Sequence, residues 1–258
     1  MKKFFLVVLA FAPILSATRD VPEAYESGEW FKFRIHYGWF NASYATLEVK
    51  DKIFNNQPVH HVLGKGKSTG LLDLFFKVDD RYETYIHKET NQPIRFIRKI
   101  NEGGYIKNRQ IDFDHSAKTA LVIDKKRNTE KTFTISDNVQ DMLSAFYYLR
   151  NRIDITNLTK GEEHNINLFF DDENYVFRTK FLGKETIKTN FGKIKCLKFR
   201  PYVQAGRVFK EQESVTFYVS DDKNKMPVKI EAKLAVGSLE ADLIGFKGLK
   251  NPFVKQVD

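Results

Sequence analysis

Gly66-Lys67-Ser68-Thr69-Gly70 has the form G-x-S-x-G, the turn that in α/β-hydrolases lifts a serine nucleophile above a sheet. Asp79 or Asp80, then His87 or His115, follow it in the order Ser, Asp, His. The elbow requires a strand, a sharp turn and a helix, whereas the flanking sequence alternates as β-strand, so the stretch reads as a loop that is small because it turns. The same residues contain Gly-Lys-Ser, the core of a phosphate-cradling loop, but His61 stands where that loop needs its first glycine. His60 and His61 are adjacent and would point to opposite faces of a strand, which prevents them from sharing a metal ion. His36 or His87 could join one of them across strands, yet no ligand spacing supports a site; histidines on a wet face are expected, with no metal or other cofactor. Asp79-Asp80, Asp171-Asp172 and Asp221-Asp222 fall at strand ends and turns, where Asp bonds backbone amides. Cys196 is the only cysteine and reads as a small core hydrophobe. None of these sets specifies a reaction, so catalysis, by a serine hydrolase or a carbohydrate-active enzyme, ranks behind binding.

Binding candidates come from aromatic and charged residues. In RIHYGWFNASYATLEV the bulky Tyr37, Trp39, Phe40 and Tyr44 stand beside small Asn41, Ala42, Ser43 and Ala45. Gly38 is expected to turn the chain, setting rings and small residues on adjacent antiparallel strands. That is ordinary packing or, on a curved sheet, a concave aromatic surface with space above it. In Asp79-Asp80-Arg81-Tyr82 one charge is directed inward on a strand, as an ion pair of Arg81 with Asp79 or Asp80, or as part of a polar site. The candidate ligand-binding residues are therefore Tyr37, Trp39, Tyr44, Arg81 and Tyr82.

The elements that must position them are mostly strands. Phe31, Phe33, Ile35 and Tyr37 share one face, and Val228, Ile230, Ala232, Leu234 and Val236 another, in clean period-two alternation. Turn signals at NNQP, NEGG, DHSA, KKRN, DDEN, FGK, QAG and SDDKNK recur about every 8 to 14 residues, too closely for crossover helices, which predicts an antiparallel meander. A long meander must curl or close to protect its edges. DNVQDMLSAFYYLRN breaks the rhythm: Val139, Met142, Leu143, Phe146 and Leu149 or Arg150 recur at helical spacing, with Asp137 as N-cap and Gln140 as its capping-box partner. The predicted helix spans about 137–150, with Tyr147 and Tyr148 on its flank, and packs on the concave side of the sheet. The fold class is all-β: a curved sheet or open barrel with one helix, in a single domain over 18–258.

MKKFFLVVLAFAPILSA has a cationic start, an apolar run of about 12 residues and a small residue at Ala17, the pattern of a cleaved secretory signal. The run is shorter than the roughly 20 residues of a spanning helix, so the mature chain is expected to be soluble, not membrane-spanning, and exported to the periplasm. No cysteine near the cleavage region offers a lipid anchor. Removing Lys2 and Lys3 takes the formal charge from +9 to +7, which suits solubility and contact with anionic surfaces. An exported address gives nucleic-acid binding no support.

Four segments, GEWFKFRIHYGWFNASYATLEV, STGLLDLFFKVDDRYETYI, QDMLSAFYYLR and MPVKIEAKLAVGSLEADL, resemble in order and spacing a bacterial family of exported proteins classified as a domain of unknown function. The resemblance runs from about Gly28 to Leu243. It implies an exported β-rich protein of the Gram-negative cell envelope and carries no activity over. The reading is a non-catalytic binding or carrier module for an amphiphilic envelope lipid or glycan; the alternative is a structural or assembly partner of other envelope proteins.

Overall fold

Short turns with left-handed backbones set the meander. Asn55 and Asn56 (φ 49° and 61°) and Gly103 and Gly104 (φ 54° and 89°) supply the paired positive φ values of tight hairpins. The computed structural model describes residues 23–70, 73, 76–202, 215–234 and 236–253. The export segment over 1–17 and the Gln204 turn lie outside the described residues. The strands are β1 (Trp30–Tyr37), β2 (Phe40–Phe54), β3 (Gln57–Ser68), β4 (Asp79–His87), β5 (Pro93–Glu102), β6 (Tyr105–Asp114), β7 (Thr119–Asp124) and β8 (Thr129–Thr134). Helix α1 (Met142–Arg152) follows, then β9 (Glu163–Phe170), β10 (Glu173–Thr189), β11 (Gly192–Tyr202), β12 (Val215–Ser220), β13 (Pro227–Lys233) and β14 (Ser238–Lys247). They form one 14-stranded sheet in the order β8-β7-β6-β5-β4-β3-β2-β1-β14-β13-β12-β11-β10-β9, antiparallel throughout, as the turn spacing predicts.

The sheet curls until its two ends meet. Phe169 of β9 packs on Phe113 and Phe133 of the far arm. Asp171 at the β9–β10 turn pairs with Arg98 (2.9 Å) and Lys107, and Asp172 with Arg109 (2.9 Å). The segment entering α1 bridges the seam: the Gln140 N–H donates to the Asn167 carbonyl (2.8 Å), and the Phe169 N–H to the Gln140 carbonyl (2.9 Å).

That bridge corrects the expected start of the helix. Gln140 is held as a strand-like partner of Leu168, and Asn138 has a positive φ of 52°, so Asp137 cannot begin a helix. Asp141 caps it instead, accepting from the Leu143 N–H (2.8 Å) and Ser144 N–H (2.9 Å), while Ser144 Oγ accepts from the Asp141 N–H (2.8 Å). Tyr147, expected on the flank of the apolar stripe, is fully buried against Tyr25, their ring centroids 4.6 Å apart. The helix is thus wrapped on two sides, Tyr147 toward the β2–β4 layer and Phe146 and Leu149 toward the hollow of the sheet.

An apolar cavity under helix α1

The hollow begins with two glycines on one face of β3. Antiparallel register aligns Asp80, Gly66, Ala45, Phe33 and Leu243 in one row across five strands, and Tyr82, Gly64, Leu47, Phe31 and Phe246 in the next. In each row the glycine leaves a gap. A Cβ on Gly64 would stand 3.3 Å from Leu47 Cδ2 and 3.7 Å from Leu143 Cδ2, so this glycine lets the helix sit close to the sheet. A Cβ on Gly66 would meet only Asp80 Cβ, at 3.9 Å, and the space above it is open. Phe177, Phe199, Phe217 and Ile230 face this gap from the other arm, and Leu143, Phe146 and Leu149 roof it. The cavity, partly open to the outside, has a volume of about 510 Å³, and its inner surface is almost entirely apolar.

One end of the cavity is closed by a polar knot. Arg150 is 2% exposed and grips the fully buried Glu29 through two hydrogen bonds, of 2.7 and 2.6 Å. The same guanidinium donates to the Asn224 carbonyl (2.8 Å) and the Ala24 carbonyl (3.2 Å). The rings of Tyr25, Phe31, Phe146 and Tyr147 surround it at 5.3 to 5.6 Å. Burial works against its charge, but Glu29 outweighs burial and holds the proton on Arg150 more firmly than usual. Lys225 Nζ donates to the Arg150 carbonyl (2.6 Å), and burial, with Arg150 nearby, pulls the ammonium down to about 8. At the other end Asp80 accepts from the Asn101 N–H (3.1 Å), while burial and a hydrogen bond to Asp80 push the Glu102 carboxyl up.

Of the five candidate binding residues, the structure places only Tyr82 in the cavity wall. Arg81 donates to Glu83 (2.7 Å), not to Asp79 or Asp80. Tyr44 lies under Lys32 Nζ, 5.1 Å from the ring centroid, and the Tyr37 hydroxyl donates to the Val236 carbonyl (2.8 Å). Trp39 projects from the β1–β2 turn, 94% exposed. The candidate rings of this hairpin do not face its small residues: Tyr37 pairs with Phe40 and Tyr44 with Arg34, while Ala45 and Ser43 stand opposite Phe33 and Ile35, and the cavity-lining residues there are Phe33, Ile35 and Ala45. Gly64, Gly66, Arg150 and Lys225 were not among the candidates. The period-two repeat of Gly64 and Gly66 inside a strand pattern is the signal that points to them.

The chain matches the family described as "Protein of unknown function (DUF3108)" over residues 32–244. It belongs to the DUF3108 family. Apart from the first residues of β1 and the last of β14, that match takes in the described strands and the helix, so the cavity lies within the DUF3108 region. No curated protein matches the chain. Among solved structures, a beta-barrel-like DUF1849 protein from Brucella abortus aligns with a TM-score of 0.57 at 8% identity, covering 86% of this chain and 98% of the other. A DUF1089 protein from Pseudomonas aeruginosa gives 0.39 at 9% identity, covering 72% and 88%. A Bacteroides fragilis protein described as exported, with a YmcC-like fold, gives 0.32 at 10%, covering 86% and 97%. The Brucella likeness shows the fold alone, a barrel-like curling of the sheet.

Within this DUF3108 fold the residues first suspected of chemistry have structural partners. Gly64 to Ser68 belong to strand β3, not to a turn. Ser68 Oγ donates to Asp73 (2.5 Å) and accepts from the Val78 N–H (2.8 Å), clasping the connection that follows. His60 and His61, expected on a wet face, are both buried; they bond Asp51 (2.9 Å) and Glu83 (2.7 Å), and burial pulls both below the usual imidazole range. Among the described residues, His36, Glu240 and Asp242 bring possible ligand atoms within 4.8 Å of one another. Lys229 Nζ, 2.6 Å from Glu240, and Arg34, 3.6 Å from Asp242, already balance those carboxylates, so the cluster reads as an ion-pair network. Among the described residues, no helix is long and apolar enough to cross a membrane.

Proposed function

We propose that the protein is an exported, non-catalytic carrier or binding module whose cavity takes the apolar part of an amphiphilic envelope molecule. The cavity carries this reading. Its volume of about 510 Å³ falls in the range of small-molecule sites, and its walls offer a dry surface with few polar groups at the ends. Such walls favour a lipid chain over a glycan, because buried sugar hydroxyls would lack the hydrogen-bond partners that make their burial tolerable. The N-terminal pattern supports action after export, in the periplasm.

The test is native mass spectrometry of the mature protein purified without detergent from its own periplasm, followed by organic extraction. A discrete adduct that extraction removes, and that an added fluorescent fatty acid displaces in saturable fashion, is the expected result. Protein that emerges empty and takes up no such probe defeats the reading.

A further inference from the structure

We propose that the hairpin turns at the end of the barrel away from the Arg150 knot form a docking rim for an anionic phospholipid surface. The observations behind it concern the rim and hold whether or not the cavity carries a ligand.

A meander sends every second connection to the same end. The turns after β1, β5, β7, β9 and β13, and the connection after β3, therefore share one rim. The Arg150 knot lies at the opposite end, with Glu29 just before β1 and Asn224 in the β12–β13 turn. The shared rim leaves large apolar side chains uncovered: Trp39 at 94% exposure, Val236 at 76%, Tyr105 at 59%, and Phe76, Ile106 and Leu234 near half. At the opposite end Ile53 is the large apolar side chain so exposed among the described residues. Neighbouring turns touch. The Tyr37 hydroxyl bonds the Val236 carbonyl, and the Phe76 ring lies so close over Gly103 that a Cβ there would come within 2.3 Å of it.

Two features fit this rim to a bilayer more than to a protein. Single side chains protrude from separate turns, where a protein interface needs a contiguous patch of about 800 Å² a side. Trp and Tyr, with apolar bodies and polar edges, are the residues that settle at a lipid–water boundary. Exposed cations stand between them: Lys67, Lys77, Lys125, Lys126, Arg127 and Lys233, against the exposed carboxylates Asp79, Glu130, Asp172 and Glu173 among the described residues. Asp172 is spent on Arg109. The balance favours an anionic surface, in line with the formal charge of +9 of the whole chain. Ile35 and Phe217, which line the cavity, lie close to the ends of β1 and β12 at this same rim. Docking here would bring the apolar hollow toward the bilayer.

Trp30 and Trp39 are the two tryptophans, so the mature Trp30→Phe protein reports on Trp39 alone. It is titrated with phosphatidylcholine vesicles, with and without phosphatidylglycerol. The expected result is a saturable blue shift with phosphatidylglycerol present, weakened by salt. Loss of two anchors in Trp39→Ser/Val236→Ser, read by vesicle co-sedimentation, should lower partitioning by at least about tenfold, while Ile53→Ser leaves it unchanged. The absence of any shift, equal binding to pure phosphatidylcholine, or an equal loss in Ile53→Ser overturns the proposal. The two proposals separate cleanly: the rim variant should still take up the fatty-acid probe in solution, and Gly66→Leu should still bind vesicles.

Discussion

The two ends of this barrel are built on opposite terms. At one, Arg150, Glu29, Lys225 and the Asn224 carbonyl form a closed polar knot sealed by four aromatic rings. At the other, apolar side chains stand on turns with no cover among the described residues. A buried ion pair is tolerated only when its hydrogen bonds are satisfied, and then it enforces one arrangement of the elements it joins. Here it joins the segment before β1, the last turns of α1 and the β12–β13 turn. Buried, mutually bonded groups at the knot resist substitution, whereas exposed side chains at the rim can change at little cost to the fold.

The largest effect is expected from Arg150→Ala. It strands Glu29 in a buried site and should cost about 3–5 kcal/mol, enough to abolish cooperative urea unfolding of a folded species. Glu29→Leu/Arg150→Met should recover part of that loss, because no buried charge is left alone; a double variant as unstable as the single one would show that the carbonyls of Ala24 and Asn224, not Glu29, are what Arg150 serves.

Asp141 gives the next effect. Burial holds its carboxyl at about 6 against 3.8 in the unfolded chain. The folded state therefore binds this proton more tightly, so its contribution is most favourable below pH 4, falls as pH rises to 6 and is flat above. Two pKa units correspond to about 3 kcal/mol. Asn can still accept from Leu143 and Ser144, so Asp141→Asn should raise the melting temperature at pH 7.5 and remove this slope from the pH–stability profile. Asp141→Ala loses the cap, worth about 1 kcal/mol, and should fall below Asp141→Asn at every pH tested.

Filling the hollow is a smaller perturbation. Gly66→Leu adds a side chain where a Cβ meets nothing closer than 3.9 Å. It should weaken fatty-acid probe binding by at least about tenfold, with stability changed by no more than about 1 kcal/mol. Unaltered probe titrations in that variant would place the ligand elsewhere. Smallest of all, Trp39→Ser should shift the urea midpoint by an amount equivalent to less than about 0.5 kcal/mol, since the ring is packed against little. A large shift would mean that the rim, too, is part of the core.

The fold was legible because strand and turn signals are local. Phe31, Phe33 and Ile35 alternate against charged neighbours, and Asn55-Asn56 and Gly103-Gly104 are turn chemistry that needs no partner. The helix was legible in type but not in its first residue: Asp137 and Asp141 are equally good caps, and only the distant strand β9, pairing with Gln140, decides between them. The site was less legible still. Gly66 read as part of a loop, and the gap it makes with Gly64 exists only between strands that register places side by side. Arg150 looked like the edge of an apolar stripe, since its partner Glu29 lies 121 positions away. The Trp39 hairpin drew attention by composition, yet its exposure depends on which end of the barrel carries the knot.

The pairing of β1 with β14 sets a timetable for the whole molecule. These two strands lie side by side within the sheet, so the first and last of the described strands join its two arms by backbone pairing. As the chain emerges from its N-terminus, β1 to β8 can assemble early, but β1 then waits with a bare edge until about two hundred residues have followed. Contacts of such long sequence separation form slowly, and an unpaired edge invites the wrong neighbour. Termination after β9 but before Ser238 would therefore leave two arms touching at the seam of Gln140, Phe169 and Asp171, with the β1 edge bare.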